Sequence, residues 1–313
     1  YAVFSFVHQV TRQQLRDVLH NCDQLGIEER KRRRLHRRVY NVQAPNHLWH
    51  LDTNHKLIRW HFVIAGGIDG FSRYIVFLNC ANNNKSQTIL HFFKDGENKC
   101  GTTPLRVRTD KGQENIKVAE YMIQKRGMNR RTVIAGKSTH NQRIERLWRD
   151  VYDGVLCYFY ELFYFMEEHG ILNPSNTAHI YALHYVYLGK INEKLDIWKE
   201  AWQRHRLRTA RSSPLRLFWA GSVTCPVDVP LSDTEADLYG TEGDVEETDG
   251  DDLEDNIRHD SRPSFDPVQL DINWVCQQEL ETVCRADWVS ENHGIDIFLL
   301  VVDVLRRHTD YDL

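Results

Sequence analysis

The 313-residue chain has no run of about 20 apolar residues, the length a membrane-spanning helix needs. Its longest apolar stretches are broken, residues 155–166 by Glu161 and residues 295–305 by Asp296 and Asp303. No membrane partner is expected. The sequence also has no Cys-x-x-Cys pair. Its seven cysteines (Cys22, Cys80, Cys100, Cys157, Cys225, Cys276 and Cys284) are odd in number and scattered, which reads as reduced, intracellular thiols. Paired zinc ligands are missing as well: His47, His50 and His55 cluster around one aspartate, while His8, His20 and Cys22 supply at most three ligands. A structural zinc site is not expected. No Ser/His/Asp or Cys/His nucleophilic arrangement is found. Because the chain begins at Tyr1 and not at Met, nothing about a targeting segment follows from its start.

One further absence is local. Between residues 228 and 255 there is no Lys or Arg, but there are 13 carboxylates. Such a block reads as a solvated, disordered segment with no core of its own. The formal net charge of -4 hides this asymmetry: residues 1–220 carry 35 basic against 20 acidic side chains (+15), and residues 221–313 carry 5 against 24 (-19). A domain at +15 favours a nucleic-acid partner, and no amphipathic lipid-facing stripe accompanies it. The 41% apolar content is enough for the core of one large or two modest domains.

Four segments are expected. Residues 1–40 form a helical, basic module, resembling a helix-turn-helix, in which Thr11 and Gln14 have capping-box spacing. Its stretch from Lys31 to Arg38 reads equally as a solvated helix face, a phosphate contact or a nuclear-import signal, the last implying a nuclear location. Residues 41–220 form the core. Within it, residues 48–55, 61–68 and 73–79 are β-prone runs joined by turn material, 85–94 and 116–125 are helical, and 104–108 and 131–135 are further strands. The order β-β-β-α-β-α-β-α predicts a mixed α/β sheet with a crossover to parallel strands. Thr139 and Gln142 have capping-box spacing ahead of a long helix to about residue 169, and 175–189 and 191–206 read as two more. Residues 221–262 are the acidic linker, and 263–313 a helical segment with helices at 268–283 and 295–307.

Three carboxylates stand out by position. Asp52 lies within the first strand on the face of His50, Asp110 follows the fourth strand in Arg106-Val107-Arg108-Thr109-Asp110-Lys111-Gly112, and Glu145 sits early in the long helix. Singly, each has an ordinary explanation as a turn, a cap or an i,i+4 partner of Arg149. Jointly, with 57 residues between the first two and 34 between the last two, they occupy positions from which strand ends and a helix start reach one rim. Carboxylate oxygens are the donors a hard cation such as Mg2+ or Mn2+ requires.

The text around them resembles the integrase core of retroviruses and related DDE transposases, most closely the transposon-derived integrase-core proteins of animals. Trp49-His50-Leu51-Asp52, Gly67-Ile68-Asp69-Gly70-Phe71-Ser72-Arg73, Arg108-Thr109-Asp110-Lys111-Gly112 and Asn141-Gln142-Arg143-Ile144-Glu145-Arg146 carry the resemblance over about residues 40–220. The family's zinc-binding N-terminal motif has no counterpart here, and acidic residues replace its small basic β-barrel.

The resemblance implies a ribonuclease-H-like five-stranded mixed sheet flanked by helices. It also implies a catalytic triad of Asp52, Asp110 and Glu145 holding two Mg2+ or Mn2+ ions for DNA 3′-end cleavage and strand transfer, and action as a homo-multimer. Lys111, Lys137, Asn141, Arg143 and Arg146 bracket the carboxylates and are expected to hold DNA, with Arg204, Arg206, Arg208 and Arg211 as a second basic run. Trp198, Trp202 and Trp219 beside that run read as core in preference to base-stacking platforms. The rival reading is a catalytically silent DNA-binding or chromatin-associated protein that keeps the fold, its acidic segment recruiting basic partners. The acidic block is further expected to compete with DNA for the basic face.

Overall fold

The computed structural model describes residues 11, 40–110, 112–127, 131–136, 141–224, 239–241, 265–283 and 290–308. The expected N-terminal module and most of the acidic linker lie outside the described residues, as do Lys111, Lys137 and Thr139.

Five strands form one sheet: β1 (Leu48–Asn54), β2 (Val63–Asp69), β3 (Ile75–Ala81), β4 (Arg106–Thr109) and β5 (Val133–Ala135), in the order β3-β2-β1-β4-β5. β1, β2 and β3 are an antiparallel meander, and β4 and β5 run parallel to β1. Helices α1 (Ser86–Cys100) and α2 (Ile116–Arg126) provide the crossovers that parallel pairing requires. This is the ribonuclease-H-like mixed sheet expected from the motif order. The helix α1 runs past the expected 85–94 because its second half, though polar, continues until Gly101 adopts φ 71° and closes it.

Strand alternation divides the core. Trp49, Leu51, Ala65, Phe77 and Val107 pack beneath α1 and α2 with Ile89, Phe93, Val118 and Met122. The opposite face carries Ile64, Ile68, Leu78 and Cys80 under the C-terminal helices. These are α3 (Gln142–Val151), a π-helical turn (Tyr152–Leu156), α4 (Cys157–Glu168), α5 (Thr177–Arg204), α6 (Pro214–Thr224), α7 (Trp274–Val283) and α8 (Ile295–His308). Two expected helices at 175–206 are in fact one of 28 residues, since Gly189 is carried within a helix whose flanking turns are held by buried Val186, Tyr187 and Ile191. Its N-cap is Asn176, whose side chain accepts from the amides of Ala178 and His179. Helices α7 and α8 pack onto the core through Cys276, Leu280, Phe298 and Val301. No described helix is long and apolar enough to cross a membrane. Cys80, Cys100, Cys157 and Cys276 are free thiols.

Residues 239–241 correct the expectation of a wholly solvated acidic linker. Tyr239 is buried against Val42, Leu48 and Ile134, its hydroxyl accepts from the amide of Gln43 (3.0 Å), and its carbonyl accepts from Arg108 Nη2 (3.0 Å). Gly240 at φ 76° lies so close to Leu48 that a Cβ would stand 2.4 Å from its Cδ2. The acidic block is therefore fixed to the sheet at its middle.

Gly66 in β2 has another tight neighbour: a Cβ there would lie 2.7 Å from the ring of Trp148 in α3. The Gly66→Ala variant should lose about 1–3 kcal/mol of stability in urea titration because the packed indole must shift. The Gly189→Ala variant, with open space around it, should be neutral or gain up to about 1 kcal/mol by the same measurement.

Candidate active site

The parallel register of β1 and β4 does the first part of the assembly. His50 is paired with Arg108, so Asp52 and Asp110, two residues further along each strand, leave the sheet at the same edge and on the same face. Asp110 is buried, and its Oδ1 accepts from the amide of Gly112 (3.2 Å) and from Asn115 Nδ2 (3.0 Å). Beside it, Thr53 Oγ1 donates to Glu114 Oε1 (2.9 Å), tying β1 to the turn before α2.

Helix α3 delivers the third carboxylate, and its start is fastened to β1 by a buried hydrogen-bonded chain. Asn141 Nδ2 donates to the Leu51 carbonyl (2.9 Å), and Asn141 Oδ1 lies 2.7 Å from His50 Nδ1. An amide oxygen accepts only, so His50 carries its proton on Nδ1 and its Nε2 accepts from the Tyr40 hydroxyl (2.9 Å). Burial lowers the His50 pKa to about 3, keeping the ring neutral. Two turns along α3, Trp148 Nε1 donates to Asp52 Oδ2 (2.8 Å) with its ring lying over Gly66.

Asp52, Asp110 and Glu145 consequently line one open cleft of about 650 Å³, together with Lys56, Trp148, Arg149 and Tyr152. Asp52 opens partly to this cleft but is otherwise surrounded by protein. Burial raises its pKa to about 7, against the Trp148 hydrogen bond that lowers it, and the charges of Asp110 and Glu145 add to the rise. Like charges held this way suit a hard cation. The donor chemistry of the three carboxylates fits Mg2+ or Mn2+, although among the described residues no three His, Cys, Asp or Glu side chains are grouped as a closed ligand set. Glu145 is exposed at the rim and would have to complete such a set.

The expected DNA contacts fare differently. Arg146 is exposed and Arg143 half-buried, its guanidinium 3.7 Å from the centre of the Tyr40 ring. Asn141 must be withdrawn as a DNA contact, since it is 2% exposed and both ends of its amide serve the β1 clamp. The turn at Asp69-Gly70-Phe71-Ser72 is structural: Asp69 accepts from the amides of Asn46 and Ser72 and from the Ser72 hydroxyl. Trp198 and Trp202 stack on each other and pack against the core, whereas Trp219 is half-exposed. Trp148 is not among the site residues expected from the sequence. Its spacing of three from Glu145 places it on the same helix face and was the available signal.

A five-stranded mixed sheet presenting acidic side chains from its first strand, from just beyond its fourth and from a following helix defines a ribonuclease-H-like core. A family model for the integrase core domain matches residues 39–228, and the chain belongs to that family. Solved structures with a similar fold include the HTLV-2 integrase catalytic core in complex with magnesium (14% identity, TM-score 0.37, 57% of this chain and 99% of that one). Two others are the simian T-cell lymphotropic virus intasome in complex with the PP2A regulatory subunit B56 gamma (14%, 0.42, 72% of each chain) and the BIV integrase catalytic core (14%, 0.38, 58% and 99%). No curated protein matches the chain.

The environment of Asp52 has a consequence for stability. Below the ordinary carboxylate range both folded and unfolded chains hold the proton; between about pH 4 and 7 only the folded chain does, so the Asp52 contribution falls as pH rises through that window. With a chelator present, Asp52→Asn should be more stable than the parent by about 1–4 kcal/mol at pH 8 and by little near pH 4, as measured by urea titration at both values. The new amide keeps an oxygen for Trp148. Equal stabilities at pH 8 would refute the buried, repelled carboxylate.

Proposed function

We propose that this chain is a DDE-type integrase or transposase, or a domesticated descendant of one, which cleaves DNA 3′ ends and transfers strands with two Mg2+ or Mn2+ ions. One observation carries the reading: carboxylates from β1, from beyond β4 and from the first turn of α3 line a single open cleft in an integrase core. Asp52, Asp110 and Glu145 would hold the ions, which supply charge stabilisation to the attacking and leaving oxygens of an in-line displacement. The chain's own groups do the positioning. Trp148 fixes one oxygen of Asp52, Asn115 and the Gly112 amide fix one of Asp110, and Lys56 and Arg149 on the cleft wall are placed to pair with phosphate oxygens.

The bond changes balance without a covalent enzyme intermediate. Water, in end cleavage, or a DNA 3′-hydroxyl, in strand transfer, forms the new bond to phosphorus as the bond to the 3′ oxygen of the cut strand breaks. The proton lost by the nucleophile ends on that departing oxygen through solvent. We further assign the protein to a homo-multimer, and to the nucleus through its Lys31 to Arg38 stretch. Its acidic block is assigned to basic protein partners and to competition with DNA.

The alternative, a catalytically silent DNA-binding protein, is favoured by a specific observation: the carboxylates are not grouped as a closed ligand set among the described residues. Incubation of the purified chain with labelled DNA ends and Mg2+ or Mn2+ separates the two. The enzyme predicts metal-dependent nicking or joining that falls at least about 100-fold in Asp110→Asn, the order of loss when a preorganised charge-stabilising group is removed. Binding without metal-dependent products, equal in parent and variant, would establish the silent protein.

A further inference from the structure

A second cleft, of about 770 Å³, lies on the other side of α3. With about 100° of rotation per residue, Glu145, Trp148 and Arg149 share one face of α3 and Arg143, Arg146 and Asp150 another, roughly 140° away. The second cleft is lined by Arg73, Arg143, Arg146, Arg208 and His205, and among the described residues Asp150 is its only carboxylate. Its floor is apolar, built from Ile68, Leu147 and Leu207. Beyond Arg208 it meets a groove of about 400 Å³ bounded by Arg206, Leu207, Arg208 and Arg211.

Among the described residues every fixed cation of this cleft is arginine. Guanidinium forks match oxyanions bidentately and stay charged, which suits phosphate better than a point charge does. Arg143 is preorganised by resting on the Tyr40 ring, and in the adjoining groove Arg206 Nε donates to the Arg211 carbonyl (3.1 Å). The cleft is far larger than one phosphate and continues into a second arginine-lined groove, so its shape fits a chain of phosphates. The apolar floor accepts sugar and base surface between them.

The geometry points to a nucleic-acid backbone site in this arginine cleft, separate from the carboxylate cleft and divided from it by α3. This assignment rests on the proposed DNA chemistry and adds where the strand is gripped beyond the reacting phosphate. Residues 206–211 thereby gain a role as the outer end of the track, continuous with Arg146.

The test is fluorescence anisotropy of a labelled 30-base-pair duplex with the full chain, across about 50–200 mM salt. Arg146→Glu with Arg208→Glu is compared with Lys99→Glu with Lys194→Glu, the same charge change at exposed positions outside both clefts. Circular dichroism confirms that each variant is folded. The cleft variant should bind at least 10-fold more weakly near 100 mM salt, with the slope of log K against log salt reduced by about 1.8, two phosphate contacts at about 0.9 each; the control should shift less than 3-fold. Equal binding by the two variants would overturn the cleft assignment. If the parent still nicks DNA in an Asp110-dependent manner in that case, the proposed function stands and only the location of the grip is wrong. A parent chain that binds no duplex at any salt overturns both.

Discussion

The clamp between β1 and the start of α3 is the contact on which the rest of the site depends. It is made of buried polar groups with complementary donors and acceptors: the Tyr40 hydroxyl to His50, His50 to Asn141, and Asn141 to the Leu51 carbonyl. Buried polar groups are costly when unpaired, so a chain that closes on a backbone carbonyl tolerates one arrangement and disfavours slippage by a residue. Because Leu51 and Asp52 are neighbours, fixing α3 to Leu51 also fixes its distance from Asp52. Trp148 then completes the attachment two turns later, over a glycine that has no Cβ to hold its ring away.

Electrostatics gives this clamp its chemical character. The surrounding core is basic, but the cleft collects three carboxylates; burial first, and the charges of Asp110 and Glu145 in addition, raise the Asp52 pKa to about 7. A protein could relieve that repulsion by protonation, by a neighbouring cation or by a bound metal ion. Lys56 and Arg149 line the cleft wall, while the side-chain hydrogen bond to Asp52 comes from the neutral indole of Trp148. A neutral donor orients the carboxylate without cancelling its charge. That is a better preparation for a cation than a salt bridge, which would have to be broken first.

Much of this was legible in the sequence because the decisive information is local. Alternation placed Asp52 with His50 and opposite Trp49 and Leu51, and the β-β-β-α-β-α-β order implied parallel pairing of the first and fourth strands, which brings Asp110 alongside. The clamp was not legible, because Asn141 and His50 are 91 residues apart and neither type announces a buried partner. Proximity to Glu145 made Asn141 look like a surface contact, and only its burial reassigns it. The single long α5 was misread as two helices because Gly189 is a weak helix former; tertiary packing of the flanking apolar residues outweighs a penalty of about 1 kcal/mol. The arginine cleft was half legible: residues 204–211 stood out as a basic run, but Arg73 joins them only through the sheet and α3.

The opposed charges of the two parts of the chain acquire a structural connection at Tyr239. An acidic block appended to a basic core would be expected to be held by ion pairs alone, and surface pairs are individually weak and screened by salt. Here the described attachment is of another kind. An aromatic ring fills an apolar site between Val42, Leu48 and Ile134, its carbonyl accepts from the buried Arg108, and the Arg106 guanidinium lies 5.7 Å from the ring centre. Burial of an aromatic side chain is insensitive to ionic strength, so this anchor persists at salt concentrations that dissolve charge pairing. It sits on the β1–β4 side of the sheet, the pair of strands that carries Asp52 and Asp110, and Tyr40 is shared between its cluster and the clamp of α3. Packing at the centre of the acidic block and the clamp beside the carboxylate cleft therefore share one phenol ring, a link that net charge alone could not reveal.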